Sequence, residues 1–132
     1  MNSKAKGERN ERKARDVLKA SGFSVEKSKN SRFGNSDYFN QFDLMGVKED
    51  GFVFVQVKSN GTGGVLKSLE GWCRGNVPLG SDCFDVELWI WYDYKGWRVL
   101  RLCSDGWECV LDERRGGEVL YRDIDVSKVS YG

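Results

Sequence analysis

The chain has no histidine among its 132 residues, which removes Ser-His-Asp hydrolases, Cys-His proteases, histidine-ligated metal nucleases and every enzyme that moves protons through an imidazole. Any catalysis has to run on carboxylates, lysine, tyrosine or a bound metal. The four cysteines, Cys73, Cys83, Cys103 and Cys109, include no C-x-x-C pair and have no histidine to complete a zinc set. A disulfide framework is not expected either, since nothing in the sequence indicates export, and the thiols read as free and reduced. No apolar run approaches the ~20 residues that span a bilayer. The basic opening stretch, MNSKAKGERNERKARD, has no apolar segment behind it that would make it a secretory signal. The expectation is a cytoplasmic protein without a membrane segment.

What is present is the composition of a soluble globular protein, 39% hydrophobic and 31% charged, in a length that suits a single domain over residues 1–132. Net charge is only +1, but residues 1–32 hold ten Lys or Arg against four Asp or Glu, while the remainder holds eleven against sixteen. The basic end is a candidate face for a polyanion.

From about Lys6 to Ser21 the spacing predicts a helix, with Ala14, Val17, Leu18 and Ser21 on one side and Gly22 where a C-terminal cap belongs. Glu11 falls at the edge of that apolar stripe. GFSVEKSK (22–29) alternates as a short strand, and the polar stretch after it reads as a loop. FDLMGV (42–47) and FVFVQVK (52–58) read as a hairpin, VLKSLEGWCRG as a short amphipathic helix, and VELWIWYDYKGWRVLRL as a second hairpin turning near Lys95-Gly96. A further turn is expected at Asp105-Gly106.

In the strand FVFVQVK, Val53, Val55 and Val57 share one face while Phe54, Gln56 and Lys58 share the other. A two-residue turn at Asp50-Gly51 sets residue 43 opposite 58, and one at Glu49-Asp50 sets it opposite 56. Either register brings the Asp43 carboxylate beside Gln56 and Lys58.

A helix with Glu11, a strand with Asp43 and a strand with Gln56-Val57-Lys58, in that order, resemble the PD-(D/E)XK nuclease superfamily. The match reads D-x12-Q-x-K. Within the superfamily the resemblance is strongest to archaeal-type Holliday junction resolvases, which open with a K-G-x-x-x-E-R helix followed by GF-x-V. Lys6-Gly7 through Glu11-Arg12 and Gly22-Phe23-Ser24-Val25 reproduce that opening, and the resemblance covers roughly the first 60 residues.

The resemblance implies an α/β fold, with a restriction-endonuclease-like mixed β-sheet core flanked by helices and the N-terminal helix first. It gives Asp43 the role of metal-binding aspartate, Lys58 that of catalytic lysine, Glu11 that of the helix glutamate, and Ser31 that of a loop serine near the scissile phosphate. Gln56 departs from the resolvases, which carry an acid there, and agrees with Mrr-type restriction endonucleases, which use Q-x-K. A carboxamide oxygen can ligate a hard cation but adds no charge.

The implied metal is Mg²⁺, with Mn²⁺ as a substitute, held by Asp43, Gln56, the Val57 carbonyl and Glu11. The implied activity is cleavage of DNA at four-way junctions by a homodimer, with Lys4, Lys6, Arg9, Arg12, Lys29 and Arg32 on the phosphates. An Mrr-like or repair-type endonuclease, and a nuclease-like DNA-binding protein that has lost cleavage, are the alternatives.

Overall fold

The computed structural model describes residues 3–28, 30–31, 34–35, 38–39, 41–115 and 118–119. Helix α1 runs over Ser3–Ala20, starting one turn earlier than the apolar spacing alone marks, because the added residues include good helix formers that need no core contact. It stops where expected. Gly22 adopts φ +100°, its N–H reaches the Lys19 carbonyl at 3.1 Å, and the Phe23 N–H reaches back to the Leu18 carbonyl at 3.1 Å. This is a Schellman ending, and Phe23 and Leu18 join the same buried cluster, the apolar contact that usually accompanies it.

Strands β1 (Ser24–Lys27), β4 (Leu44–Lys48), β5 (Gly51–Ser59), β6 (Phe84–Tyr92), β7 (Gly96–Cys103), β8 (Gly106–Asp112) and β9 (Glu118–Val119) form one seven-stranded sheet in the order β1-β4-β5-β6-β7-β8-β9. Among the described residues the short strands β2 (Asn30–Ser31) and β3 (Gly34–Asn35) pair with each other in a separate two-stranded sheet. Within the large sheet β5 and β6 run parallel and the other neighbours antiparallel, so the sheet is mixed. Helix α2 (Val65–Asn76) makes the crossover that a parallel pair requires.

The two faces of β5 part as its alternation predicts. Val53, Val55 and Val57 pack with Ala14, Val17 and Leu18 of α1, whereas Phe54 packs with Leu69 and Cys73 of α2. The apolar runs in β6 and β7 are buried on both faces: Trp89 and Trp97 lie under α1, and Leu88, Ile90 and Leu100 lie on the α2 side. Both β6–β7 and β7–β8 turns fall where the sequence places them, closed by Tyr92↔Gly96 and Cys103↔Gly106.

Between the two possible β4–β5 registers, tertiary contact decides. Lys48 pairs with Gly51, making Glu49-Asp50 the turn, although Asp-Gly is the stronger local signal. Gly51 is needed inside the strand: a Cβ there would lie 2.6 Å from the Cys83 carbonyl oxygen, while that same oxygen accepts the Phe52 N–H at 2.9 Å. Among the described residues no helix is long and apolar enough to cross a membrane.

Candidate active site

The β4–β5 ladder ends at Leu44↔Val55. One more step of that register would set Asp43 squarely against Gln56. Instead the Asp43 N–H bonds the Val55 carbonyl at 2.9 Å, and one oxygen of its buried carboxylate accepts the Val57 N–H at 2.8 Å. The side chain therefore spans the backbone of Gln56 along the edge that β4 has just vacated. In a strand the N–H and C=O of one residue leave by the same edge. The Val57 carbonyl consequently faces the side on which the Asp43 carboxylate sits.

Gln56 and Lys58 project from the opposite face to Val55 and Val57, Gln56 half-buried and Lys58 exposed. Their sheet partners on β6 are Leu88 and Ile90. Glu11 lies on the other face, on the flank of α1 that meets β1, where its carboxylate pairs with Lys27 at 3.4 Å. Lys27 is close to Asp43 in turn, since the Ser28 N–H donates to the Asp43 carbonyl at 2.9 Å. Glu11 and Asp43 thus flank one end of β1, but Glu11 is already matched by a cation.

Ser31 lies on β2, opposite Gly34. Lys29 and Arg32 fall outside the described residues. Of the other basic residues, Lys4, Arg9 and Arg12 are exposed, while the Lys6 ammonium forms an ion pair with Asp93 at 2.5 Å. Among the described residues no three His, Cys, Asp or Glu side chains gather as a metal set. The candidate donors here are a carboxylate, an amide oxygen and a backbone carbonyl, all hard oxygens of the kind Mg²⁺ accepts.

One supporting residue escaped the sequence reading. Asn10 is 2% exposed, and its Nδ2 donates to Ser59 Oγ at 2.6 Å, pinning α1 to β5 immediately after Lys58. Its signal was legible, because residues 10, 14 and 17 continue one helical stripe, so Asn10 is a polar residue on the apolar face.

Glu87 is a second buried acid, bound by Arg101 at 2.8 Å and by the Trp89 indole N–H at 2.9 Å. Burial pushes its carboxyl above the usual range, opposed by the Arg101 charge. Its position on β6 beneath the α1 face, opposite Val55, marks it as part of the core.

The mixed sheet with a helix on each face and the N-terminal helix first has a likeness among solved structures. The structure of Hjc, a Holliday junction resolvase from the archaeal hyperthermophile Archaeoglobus fulgidus, matches it with a TM-score of 0.52 at 14% sequence identity, covering 86% of this chain and 96% of that one. No protein-family model matches the chain, and no curated protein sequence does.

Proposed function

We propose that the protein is a metal-dependent DNA endonuclease selective for branched structures, with four-way junctions as its substrate. The observation that carries this reading is the Asp43 carboxylate on the Val57 N–H, which sets an acid at the open edge of the strand bearing Gln56 and Lys58. The likeness of fold to Hjc supports it.

Asp43, the Gln56 amide oxygen and the Val57 carbonyl would hold a Mg²⁺ or Mn²⁺ ion. Bound there, the cation supplies Lewis acidity toward a phosphodiester. Lys58 is exposed at the end of the same strand, where its ammonium meets the charge that develops on the phosphate as the bond breaks. The Asn10–Ser59 bond holds that strand end in place. Glu11, the remaining member of the metal set, pairs one carboxylate oxygen with Lys27 beside Asp43 and keeps the other oxygen as a further donor. Two symmetric cuts in a four-way junction need two sites, and so a homodimer.

The test incubates the protein with Mg²⁺ or Mn²⁺ and labelled four-way, nicked and linear duplex DNA of one sequence. Preferential cutting of the four-way junction is expected. Equal cutting of linear DNA favours an Mrr-like or repair-type endonuclease, the reading that Gln56 suggests. Binding without cutting in either metal leaves a DNA-binding protein that has lost cleavage.

A further inference from the structure

A groove of about 430 Å³ opens on the flank of α1 away from Glu11, lined by Lys6, Arg9, Asn10, Lys13, Trp91 and Asp93, with Tyr94 at its rim. Residues 6, 9 and 13 stand three and four apart, so their cations form one row along the helix. The carboxylate among the lining residues is Asp93, which pairs with Lys6. The Lys13 ammonium lies 3.8 Å from the centre of the Trp91 ring. Burial, then the neighbouring Arg9 charge, lowers the Lys13 pKa, and Asp93 only partly offsets this. Positive charge is crowded here, and an anion in the groove would relieve it.

Tyr94 is the unusual residue. It is fully exposed and sits at φ +64° in a turn closed by the Lys95 N–H on the Tyr92 carbonyl at 3.0 Å. The third position of such a turn is one that glycine or asparagine takes without strain. A tyrosine that is both strained and unburied gains nothing for the fold from its ring. It projects at the mouth of a cationic groove, where an aromatic ring offers a base a surface to stack on.

The groove lies at the same end of the sheet as the end of β5. Asn60, two residues beyond Lys58, donates its side-chain amide to Asp93 at 3.1 Å and accepts the Asp93 N–H at 3.0 Å. The groove thus sits at the C-terminal ends of parallel strands β5 and β6 on the α1 face of the sheet, while Lys58 leaves the end of β5 by the opposite face.

We infer that this groove takes an unpaired nucleotide of the DNA substrate, its phosphate on Arg9 and Lys13 and its base stacked on Tyr94. The inference rests on the nuclease reading for its substrate class, but it makes its own prediction about binding. A DNA with frayed, gapped or flapped strands presents unpaired bases that a continuous duplex does not, so the stack confers selectivity without reading sequence.

The experiment measures fluorescence anisotropy of the full chain with labelled single-stranded DNA, single-stranded RNA of the same sequence, and duplex DNA. All arms contain EDTA, so that an absence of cleavage has no bearing on the result. Tyr94→Ala is expected to weaken single-strand DNA binding by about 5- to about 150-fold, the range for losing one stacked base, and to leave duplex binding unchanged. Tyr94→Phe keeps wild-type affinity. Tyr94→Asn relieves the turn, holds or raises the melting temperature, and loses single-strand affinity as Tyr94→Ala does, which separates stacking from folding. Equal losses on duplex, no loss in Tyr94→Asn, or tighter binding to the RNA each overturn the assignment.

Discussion

The Asp43 carboxylate and the Val57 N–H lie 2.8 Å apart, and this one bond ties the candidate acid of β4 to the strand that carries Gln56 and Lys58. An acceptor oxygen is all the bond requires of the side chain. Asp43→Asn keeps that oxygen and removes the negative charge, so the melting temperature should stay close to wild type while cleavage falls by more than about 100-fold. Cleavage at the wild-type rate in Mg²⁺ would place the metal elsewhere. Lys58→Ala, on the same substrate, should lose about 100-fold or more in rate and retain DNA binding.

Gln56→Glu supplies the acid that archaeal-type resolvases carry at this position. A second negative charge near Asp43 should lower the metal concentration for half-maximal cleavage by roughly tenfold, the equivalent of about 1.4 kcal/mol. A metal titration of both proteins on one junction decides it. Inactivation of a variant that folds and binds metal normally would show that the neutral amide is required.

Asn10 and Ser59 bond at 2.6 Å where α1 crosses the end of β5. Truncating Asn10 to alanine should cost about 1–2 kcal/mol in urea unfolding, because the partner hydroxyl is left unpaired in a partly buried place. The double variant with Ser59→Ala should cost less than the sum of the two single changes. Additive losses would mean that the two side chains do not act as a pair.

Arg101 is the counter-charge of the buried Glu87. Arg101→Met leaves that carboxylate unpaired, which should cost about 3–5 kcal/mol once Glu87 is ionised. The pH dependence follows from the raised Glu87 pKa. A group whose folded pKa lies above its unfolded value contributes stability below the unfolded pKa and loses it as pH rises through the folded one. Removing Arg101 raises the folded value further, so the variant's deficit in melting temperature should be larger at about pH 8 than at about pH 5. A deficit that shrinks with rising pH would contradict this.

The elements that were legible in the sequence are those whose information is local. Gly22 after an apolar stripe marks the end of α1, because only glycine enters the left-handed region there without strain. The strict alternation of β5 assigns Val53, Val55 and Val57 to one face and Phe54, Gln56 and Lys58 to the other before any neighbour is known. The absence of histidine confines the chemistry to carboxylates, lysine, tyrosine and metal.

What the tertiary structure decided are relations between residues far apart in the chain. The β4–β5 register turns on the Cys83 carbonyl pressing against Gly51, a contact that exists only once β6 lies beside β5. The partner of Glu11 is Lys27, and that of Lys6 is Asp93, because α1 lies across the sheet with one flank toward β1 and the other toward the β6–β7 turn. The same placement divides a basic helix that reads as one uniform face in the sequence. Periodicity reports the direction in which a side chain leaves its own element. It carries no information about which distant element stands there to receive it, and that is settled only when the packed core brings the strands together.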